Sequence, residues 1–523
     1  MKNIFFLIFV ILNCSCNSIK FVNEYSFLNN PTSNSVTDNI NLQNWHNLDP
    51  EIDSIPGTSV ERAYDELLNG LKGKKVIVAV IDTGLDIDHL SLSNNIWINK
   101  DEKLNGKDDD KNGYIDDIYG WNYLGTSYNE TRDMTRILRD NQVDNIKYSL
   151  VEEEIRKEIK KSNEQLNILN YYIQILEFSK GVISENLNNT KFTIEDVNKI
   201  KTEDEKLNRA KNIYIDFESI GYTKEYLNEG IEQYNDFINY HFNIDFNGRT
   251  SNDNIYDIND TDYGDSNINN IKDSESHSTH VSGIISGDRN NKKGNKGINN
   301  LVEIMALRAI PNGDEYDKDV ARAIRYAVDN GAKIINGSFG KYFSSNPEWV
   351  IDAIRYASKK DVLVVAAAGN ESKDLDLLSN DNYPNDQFFN KNEFSDTFIK
   401  VGASTINLNE NFTAYFSNYG KINVDIFAPG VDIYSSVPND KYKFQDGTSM
   451  ASPVVSGIAS LIMSYFPKLS AKKVKEIILK SGIDIDLKIG NLGSNKHFRE
   501  YSKSGKLINA YNALILASKS KRE

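Results

Sequence analysis

The sequence predicts an α/β fold with a mostly parallel central sheet, covered by helices and interrupted by a helical insertion. Near-continuous apolar runs at residues 76–81, 302–310, 333–338, 362–368, 398–403 and 424–427 have the length and composition of strands buried on both faces. Amphipathic stretches lie between several of them, such as Asp319 to Asp329, with Val320, Ile324 and Val328 on one face, and Trp349 to Lys359. Strands and helices alternating at this spacing imply βαβ units and a parallel sheet. Residues 129–244 break the rhythm, being polar throughout and helical in periodicity.

The chain begins with Met1-Lys2-Asn3 and the apolar run Ile4 to Leu12, the charged start and short apolar centre of a secretory signal. The run is too short to span a bilayer. The only two cysteines, Cys14 and Cys16, stand directly after it, which excludes a disulfide framework for the mature domain. Leu12-Asn13-Cys14-Ser15-Cys16 resembles a bacterial lipoprotein processing site. Small Ser15 before Cys16 fits it better than Asn13 before Cys14, so Cys16, or else Cys14, is the expected lipidated residue. An ordinary signal cleaved nearby is the alternative. The expected product is exported and lipid-anchored at a bacterial membrane, on its periplasmic or cell-surface side. Residues 1–16 are then the signal, and the Asn- and Ser-rich residues 17–43 a tether.

A formal charge of −15 over 523 residues argues against nucleic acid as a partner, because neutralising phosphates needs a basic surface. With 39% hydrophobic and 26% charged residues, most of the chain is expected to be globular.

The segment Asp108-Asp109-Asp110-Lys111-Asn112-Gly113-Tyr114-Ile115-Asp116-Asp117 has the spacing of a calcium loop. Oxygen donors Asp108, Asp110, Asn112 and Asp116 fall at positions one, three, five and nine, Gly113 at six and Tyr114 at seven. Tyr119 stands where a helix–loop–helix calcium site has Glu, so Asp116 or Asp117 must complete the shell. A structural calcium ion is expected, with a solvated acidic loop as the alternative. No organic cofactor is expected.

Within residues 128–245, Ile155, Ile159, Leu166, Leu169, Ile173 and Leu176 form a heptad-like seam, and Leu227, Ile231, Tyr234 and Ile238 a second. Asn188-Asn189 reads as a turn between helices and Thr193 as an N-cap. The expectation is an antiparallel helical hairpin with a third helix, serving either as a solvated spacer or as a lid or partner-binding arm.

Four short segments carry chemistry. Asp82 closes the strand Val76 to Ile81 and precedes Thr83-Gly84; parallel sheets gather their sites at this end of a strand. Asp-Thr-Gly also occurs in aspartic proteases, but a second such tripeptide is missing from the sequence, and the βαβ rhythm disagrees with that fold. His277 and His280 open an apolar helix three residues apart, so they are either metal ligands on one face or one catalytic imidazole and one packing residue. Asn370 ends the strand Val364 to Ala368, where its amide could donate to an oxyanion or simply form a turn. Ser449 follows Gly447-Thr448 and opens a long apolar segment. A hydroxyl there lies among unpaired helix N–H groups, as a nucleophile or merely a cap.

With these local sequences and the order Asp, His, Ser, the chain resembles the subtilisin-like serine proteases, or subtilases. Val80 to Gly84, His277 to Gly283 and Gly447 to Pro453 match the family's aspartate, histidine and serine motifs, and Ala367 to Asn370 its oxyanion segment. Asn336 to Gly340 resembles the strand that pairs with substrate, and Gly505 to Leu514 the closing helix. The resemblance covers residues 44–127 and 246–520, which become the catalytic domain around an insertion at 128–245. It implies the subtilisin-like three-layer fold and a serine endopeptidase acting on protein or peptide substrates. Asp82, His277 and Ser449 would be its triad, Asn370 its oxyanion donor, and Ser338, Phe339, Gly340, Gly369 and Gly447 its substrate contacts. Ser278, Gly337, Asp446 and Val454 depart from the usual family residues; Ser278 stands where Gly is usual and could crowd His277. A catalytically inactive, membrane-tethered peptide-binding protein is the competing reading.

Overall fold

Side-chain alternation along the strands sorts apolar residues into two cores. In β1 (Val76–Asp82), Val78 and Val80 enter one core while Ala79 and Ile81 enter the other. Both faces are therefore buried, as a near-continuous apolar run requires. The computed structural model describes residues 43–140, 145–291, 294–387, 392–490 and 496–520. The expected signal and tether, including Cys14 and Cys16, lie outside the described residues.

The other main strands are β2 (Gly120–Asn122), β3 (Val302–Arg308), β4 (Ile334–Gly337), β5 (Leu363–Ala367), β6 (Phe398–Ser404) and β7 (Ile426–Pro429). They lie in the order β7-β6-β5-β4-β1-β3-β2, with short strands Lys506–Leu507 and Ile483–Asp484 beyond β7. Within this nine-stranded sheet only Ile483–Asp484 runs antiparallel to its neighbour. The fold is thus the mixed α/β, mostly parallel arrangement that the apolar runs predict.

The longer helices of the interrupting segment, among the described residues, are α1 (Asp133–Arg139), α2 (Asn145–Leu187), α3 (Glu205–Ser219) and α4 (Lys224–Asp236). The remaining long ones are α5 (His277–Ser286), α6 (Asp317–Asp329), α7 (Pro347–Lys359), α8 (Thr448–Tyr465), α9 (Ala471–Ser481) and α10 (Ala510–Lys519). Helices α5, α8, α9 and α10 cover one face of the sheet through Val281, Val454, Ile458, Val474 and Leu514. Helices α6 and α7 cover the other through Val320, Ile324, Val350 and Ile354. Each such side chain, fully buried, contributes about 1.5–3 kcal/mol. Helix α8 is almost wholly buried, its apolar residues joined by a row of small serines, Ser452, Ser456, Ser460 and Ser464, whose hydroxyls are satisfied by Asn336 and Asn299.

Helix α2 runs for 43 residues, about 65 Å at 1.5 Å per residue. The helices α3 and α4 pack back on it around a separate core of Leu176, Ile183, Leu207, Tyr214 and Leu227. Asn188, just beyond α2, has φ 47°, and Thr193 caps a short helix at Ile194–Asn198 in a reciprocal box with Asp196. The chain's last helix differs from the reading of residues 505–514 as helical. Residues Lys506–Leu507 are drawn into the sheet beside β7, and α10 starts only where Asn509 Oδ1 accepts from the Asn512 N–H, at 2.8 Å.

Candidate active site

Asp82, Ser338 and Asn370 leave the carboxyl ends of the neighbouring parallel strands β1, β4 and β5. The register pairs Ile81 with Gly337 and Gly337 with Ala366, so the three segments emerge at one level. Asp82 Oδ1 accepts the Thr83 N–H at 2.7 Å and lies 2.7 Å from His277 Nδ1. Burial lowers the His277 pKa, but the charge and hydrogen bond of Asp82 outweigh it and hold the imidazole above its ordinary value. The ring is 34% exposed, so solvent reaches its other side.

The two histidines at the start of α5 do not converge on a metal. The His280 ring is buried and lies 3.0 Å by Nε2 from the Lys443 carbonyl, pinning β9 (Lys441–Gln445) of the hairpin it forms with β8 (Ile433–Val437). Its burial pushes its pKa down to about 3. Ser278 sits in ordinary helical backbone and donates its N–H to Thr83 Oγ1 at 3.1 Å. The left-handed backbone that would demand glycine is not present there.

Ser449 is the second residue of α8. Pro453 lacks the N–H that would bond to the Ser449 carbonyl, and that carbonyl instead accepts from Ser338 Oγ at 2.9 Å. The Ser449 hydroxyl in turn donates to the Ser338 carbonyl at 3.1 Å. Beside it, Thr448 clamps Asn370. Both the N–H and the hydroxyl of Thr448 donate to Asn370 Oδ1, at 2.9 and 3.0 Å, while the Gly369 N–H donates to Thr448 Oγ1 at 3.0 Å. With its oxygen engaged, Asn370 has its Nδ2 left to donate.

Gly447, at φ +152°, keeps the adjoining space open. A methyl group on it would lie 3.4 Å from the Ser449 nitrogen and 3.6 Å from both Asn370 Nδ2 and Ser449 Cβ. Two N–H donors and the hydroxyl-bearing carbon therefore border one small space, the arrangement an oxyanion pocket needs. Gly369 (φ +100°) is also constrained, since a side chain there would strike Asn418 Nδ2 at 2.4 Å. Phe339 is half-buried with its ring against Gly337, and Gly340 is exposed beside the Tyr383 carbonyl.

Sequence reasoning did not find Glu275. Its Oε1 accepts from the Gly84 N–H and Arg308 Nε at 2.9 and 3.0 Å, tying the turn after Asp82 to the loop before His277. A buried Glu–Arg pair so far apart in sequence has no local signal. Thr448 was missed too, although its place beside Ser449 could have suggested it.

The acidic loop folds partly as its spacing implies. Asp108 and Asp110 come together with Glu102, each offering a carboxylate oxygen within 4.8 Å of the others. Glu102 was not expected. Its Oε1 gathers the N–H groups of Asp109 and Asp110, which curls the loop around it. Asn112 donates to Asp110 and Asp117, and the Tyr114 ring packs on Trp121 and Tyr326. Asp116 caps the N–H groups of Asn105 and Gly106 instead of joining the cluster. Asp117 is buried against Asn99 and Tyr326, which pushes its pKa up to about 6, burial outweighing its hydrogen bonds. Three hard carboxylate donors at this spacing fit a divalent cation of the calcium type.

Comparison with known proteins agrees with this geometry. The chain is 36% identical over 261 residues to the thermophilic serine proteinase of Bacillus sp. (strain AK1), covering 50% of this chain and 55% of that protein. It is 35% identical over 234 residues to the cell wall-associated protease of Bacillus subtilis (strain 168), covering 45% and 24%. Against thermitase of Thermoactinomyces vulgaris it is 36% identical over 189 residues, covering 36% and 61%. The chain thus spans less than two thirds of each of these relatives. The profile of the Subtilase family matches residues 73–501, a span that holds Asp82, His277, Asn370 and Ser449, and with it the chain belongs to the subtilase family.

Proposed function

We propose that the chain is a serine endopeptidase that hydrolyses peptide bonds through Asp82, His277 and Ser449. The observation that carries this is the 2.7 Å contact of His277 Nδ1 with Asp82. It leaves Nε2 as the basic nitrogen, on the solvent-reached side of the ring. Ser449 Oγ, turned from the Ser338 carbonyl towards that nitrogen, attacks the scissile carbonyl carbon as His277 takes its proton. The C–N bond then breaks, and the same proton passes to the leaving amine. Water repeats the sequence on the acyl-enzyme, with His277 as base, to release the acid. Asp82 holds the tautomer and stabilises the imidazolium, while Asn370 Nδ2 and the Ser449 N–H stabilise the oxyanion. The substrate lies extended along Ser338, Phe339 and Gly340 as an added strand.

A calcium ion held by Glu102, Asp108 and Asp110 would brace the loop that leads into β2, a structural and not a chemical part. Export and lipid attachment at Cys16, or Cys14, are supported by the sequence pattern alone. The mass of the mature N-terminal peptide, in wild type and Cys16→Ala, tests that part. No helix among the described residues is long and apolar enough to cross a membrane.

A fluorophosphonate probe tests the central claim. Labelling of the wild type but not of Ser449→Ala supports hydrolysis, whereas no labelling of either favours the inactive peptide-binding alternative.

A further inference from the structure

The cleft in front of His277 and Asn370 has a second wall that the inserted segment supplies. It encloses about 890 Å³, with His277, Ser274 and Asn370 on one side and Leu169, Tyr226 and Gln233 of α2 and α4 on the other. The arm that carries this wall is fastened to the body at its root and again along its length. At its root Asp133 meets Lys341 Nζ at 2.8 Å, and Arg136 donates to the carbonyls of Asp314 and Glu315 at 3.1 and 2.9 Å. In the middle, Asp236 accepts from Asn312 Nδ2 at 2.7 Å. Further along, Glu229 of α4 meets Lys443 Nζ of β9 at 2.7 Å.

These anchors lie on different rims. Asn312 to Glu315 follow β3, Lys341 follows β4, and Lys443 belongs to the hairpin that leads into Ser449. The arm therefore crosses the cleft instead of standing beside it. The anchors also differ in kind. Asp133, Arg136 and Lys341 are 1–3% exposed, so removing one would strand a buried charge. Lys443 and Glu229 are 52% and 61% exposed, a contact that is weak and screened by salt. The arm is firmly rooted and lightly latched.

We infer that the inserted arm is a specificity element that admits extended, unfolded polypeptide to Ser449 and turns away folded protein surfaces, with Glu229–Lys443 as its release point. This rests on the reading of Ser449 as nucleophile. A single extended strand needs only the spacing between neighbouring strands, about 5 Å, whereas a folded surface brings a second packed layer about 10 Å away. Such a surface reaches Ser338 and Ser449 only if the arm lifts from β9.

The test uses the full chain as wild type, Lys443→Glu, and the exchanged pair Glu229→Lys with Lys443→Glu. Initial rates are compared on a short fluorogenic peptide and on a native protein with an exposed, protease-sensitive loop. Lys443→Glu should raise the rate on the native protein about two- to five-fold relative to the peptide. The exchanged pair should restore the wild-type ratio, and 1 M NaCl should mimic the single variant in the wild-type chain, since it shortens screening to about 3 Å. A ratio that is the same in all three proteins overturns the inference. Fluorophosphonate labelling of each separates the causes: labelled proteins with an unmoved ratio defeat the arm's role alone, and unlabelled ones defeat the nucleophile reading and the inference with it.

Discussion

His277 Nδ1 lies 2.7 Å from Asp82 Oδ1, joining the first turn of α5 to the last residue of β1 across 195 residues of sequence. The second Asp82 oxygen, Oδ2, is buried with no hydrogen-bond partner among the described residues, and the imidazole and the Thr83 N–H stabilise the carboxylate through Oδ1. The pair is worth most to the protein when His277 bears a proton.

That relationship sets a pH dependence. Asp82 holds the His277 pKa above its ordinary value, so activity, which needs the neutral base, should rise with pH through a point above about 6.5. Asp82→Asn should move this rising limb to lower pH and reduce kcat on the order of 10⁴-fold. A pH–rate profile of both proteins checks it. For stability the sign is opposite: the contribution of the protonated pair is full below about 6.5, the unfolded value, and is lost as pH rises through the folded one.

Asn370→Ala should lower kcat about 10²–10³-fold with little change in KM, a magnitude carried over from a subtilisin, a relative in the same family. Gly447→Ala should lose activity, because its methyl group enters the space between Asn370 Nδ2 and the Ser449 nitrogen, and should also lower the melting temperature, since φ +152° strains a residue that carries a side chain. Steady-state kinetics beside a melting curve separate the two effects.

Calcium should raise the melting temperature by several degrees over the same protein in EDTA, since a ligand at about 100 times its Kd stabilises by about 2.7 kcal/mol. Glu102→Gln should shrink the difference, because it removes one carboxylate from the cluster and weakens the curl of the loop. Asp116→Asn should affect it less, its carboxylate being engaged by Asn105 and Gly106.

Arg249 grips Asp319 with two N–H donors and Asp253 with two more, and Lys318 pairs with Asp253, all of them buried. Asp319→Ala should cost about 3–5 kcal/mol by leaving Arg249 poorly compensated, read as a lower urea midpoint. Burial raises the Asp253 pKa, but Arg249 and Lys318 more than reverse this and hold it well below the carboxylate range. Its stabilisation is therefore present above about pH 3.9 and lost as pH falls towards the folded value.

The strands and helices of the sheet were legible because burial on both faces forces apolar runs, and helices over a sheet need apolar spacing such as Val320, Ile324 and Val328. Asp82, His277, Asn370 and Ser449 were legible because each stands at strand or helix punctuation. Glu102 and Glu275 were not, since their partners lie on other segments and a lone Glu in sequence is indistinguishable from a solvated one. The helical character of residues 129–244 could be read from its periodicity, but not its place over the cleft, because Glu229–Lys443 and Asp133–Lys341 join distant segments.

By itself the sequence determined the alternation of strands and helices, the four chemistry-bearing segments and the family resemblance, all written in local pattern. Only the tertiary structure decided that His280 pins a hairpin instead of sharing a metal with His277, that Thr448 turns the Asn370 oxygen away, and that Pro453 frees the Ser449 carbonyl for Ser338. The physical reason is the same in each case: a hydrogen bond is made where two atoms meet, and which atoms meet is settled by how the strands register and the helices pack.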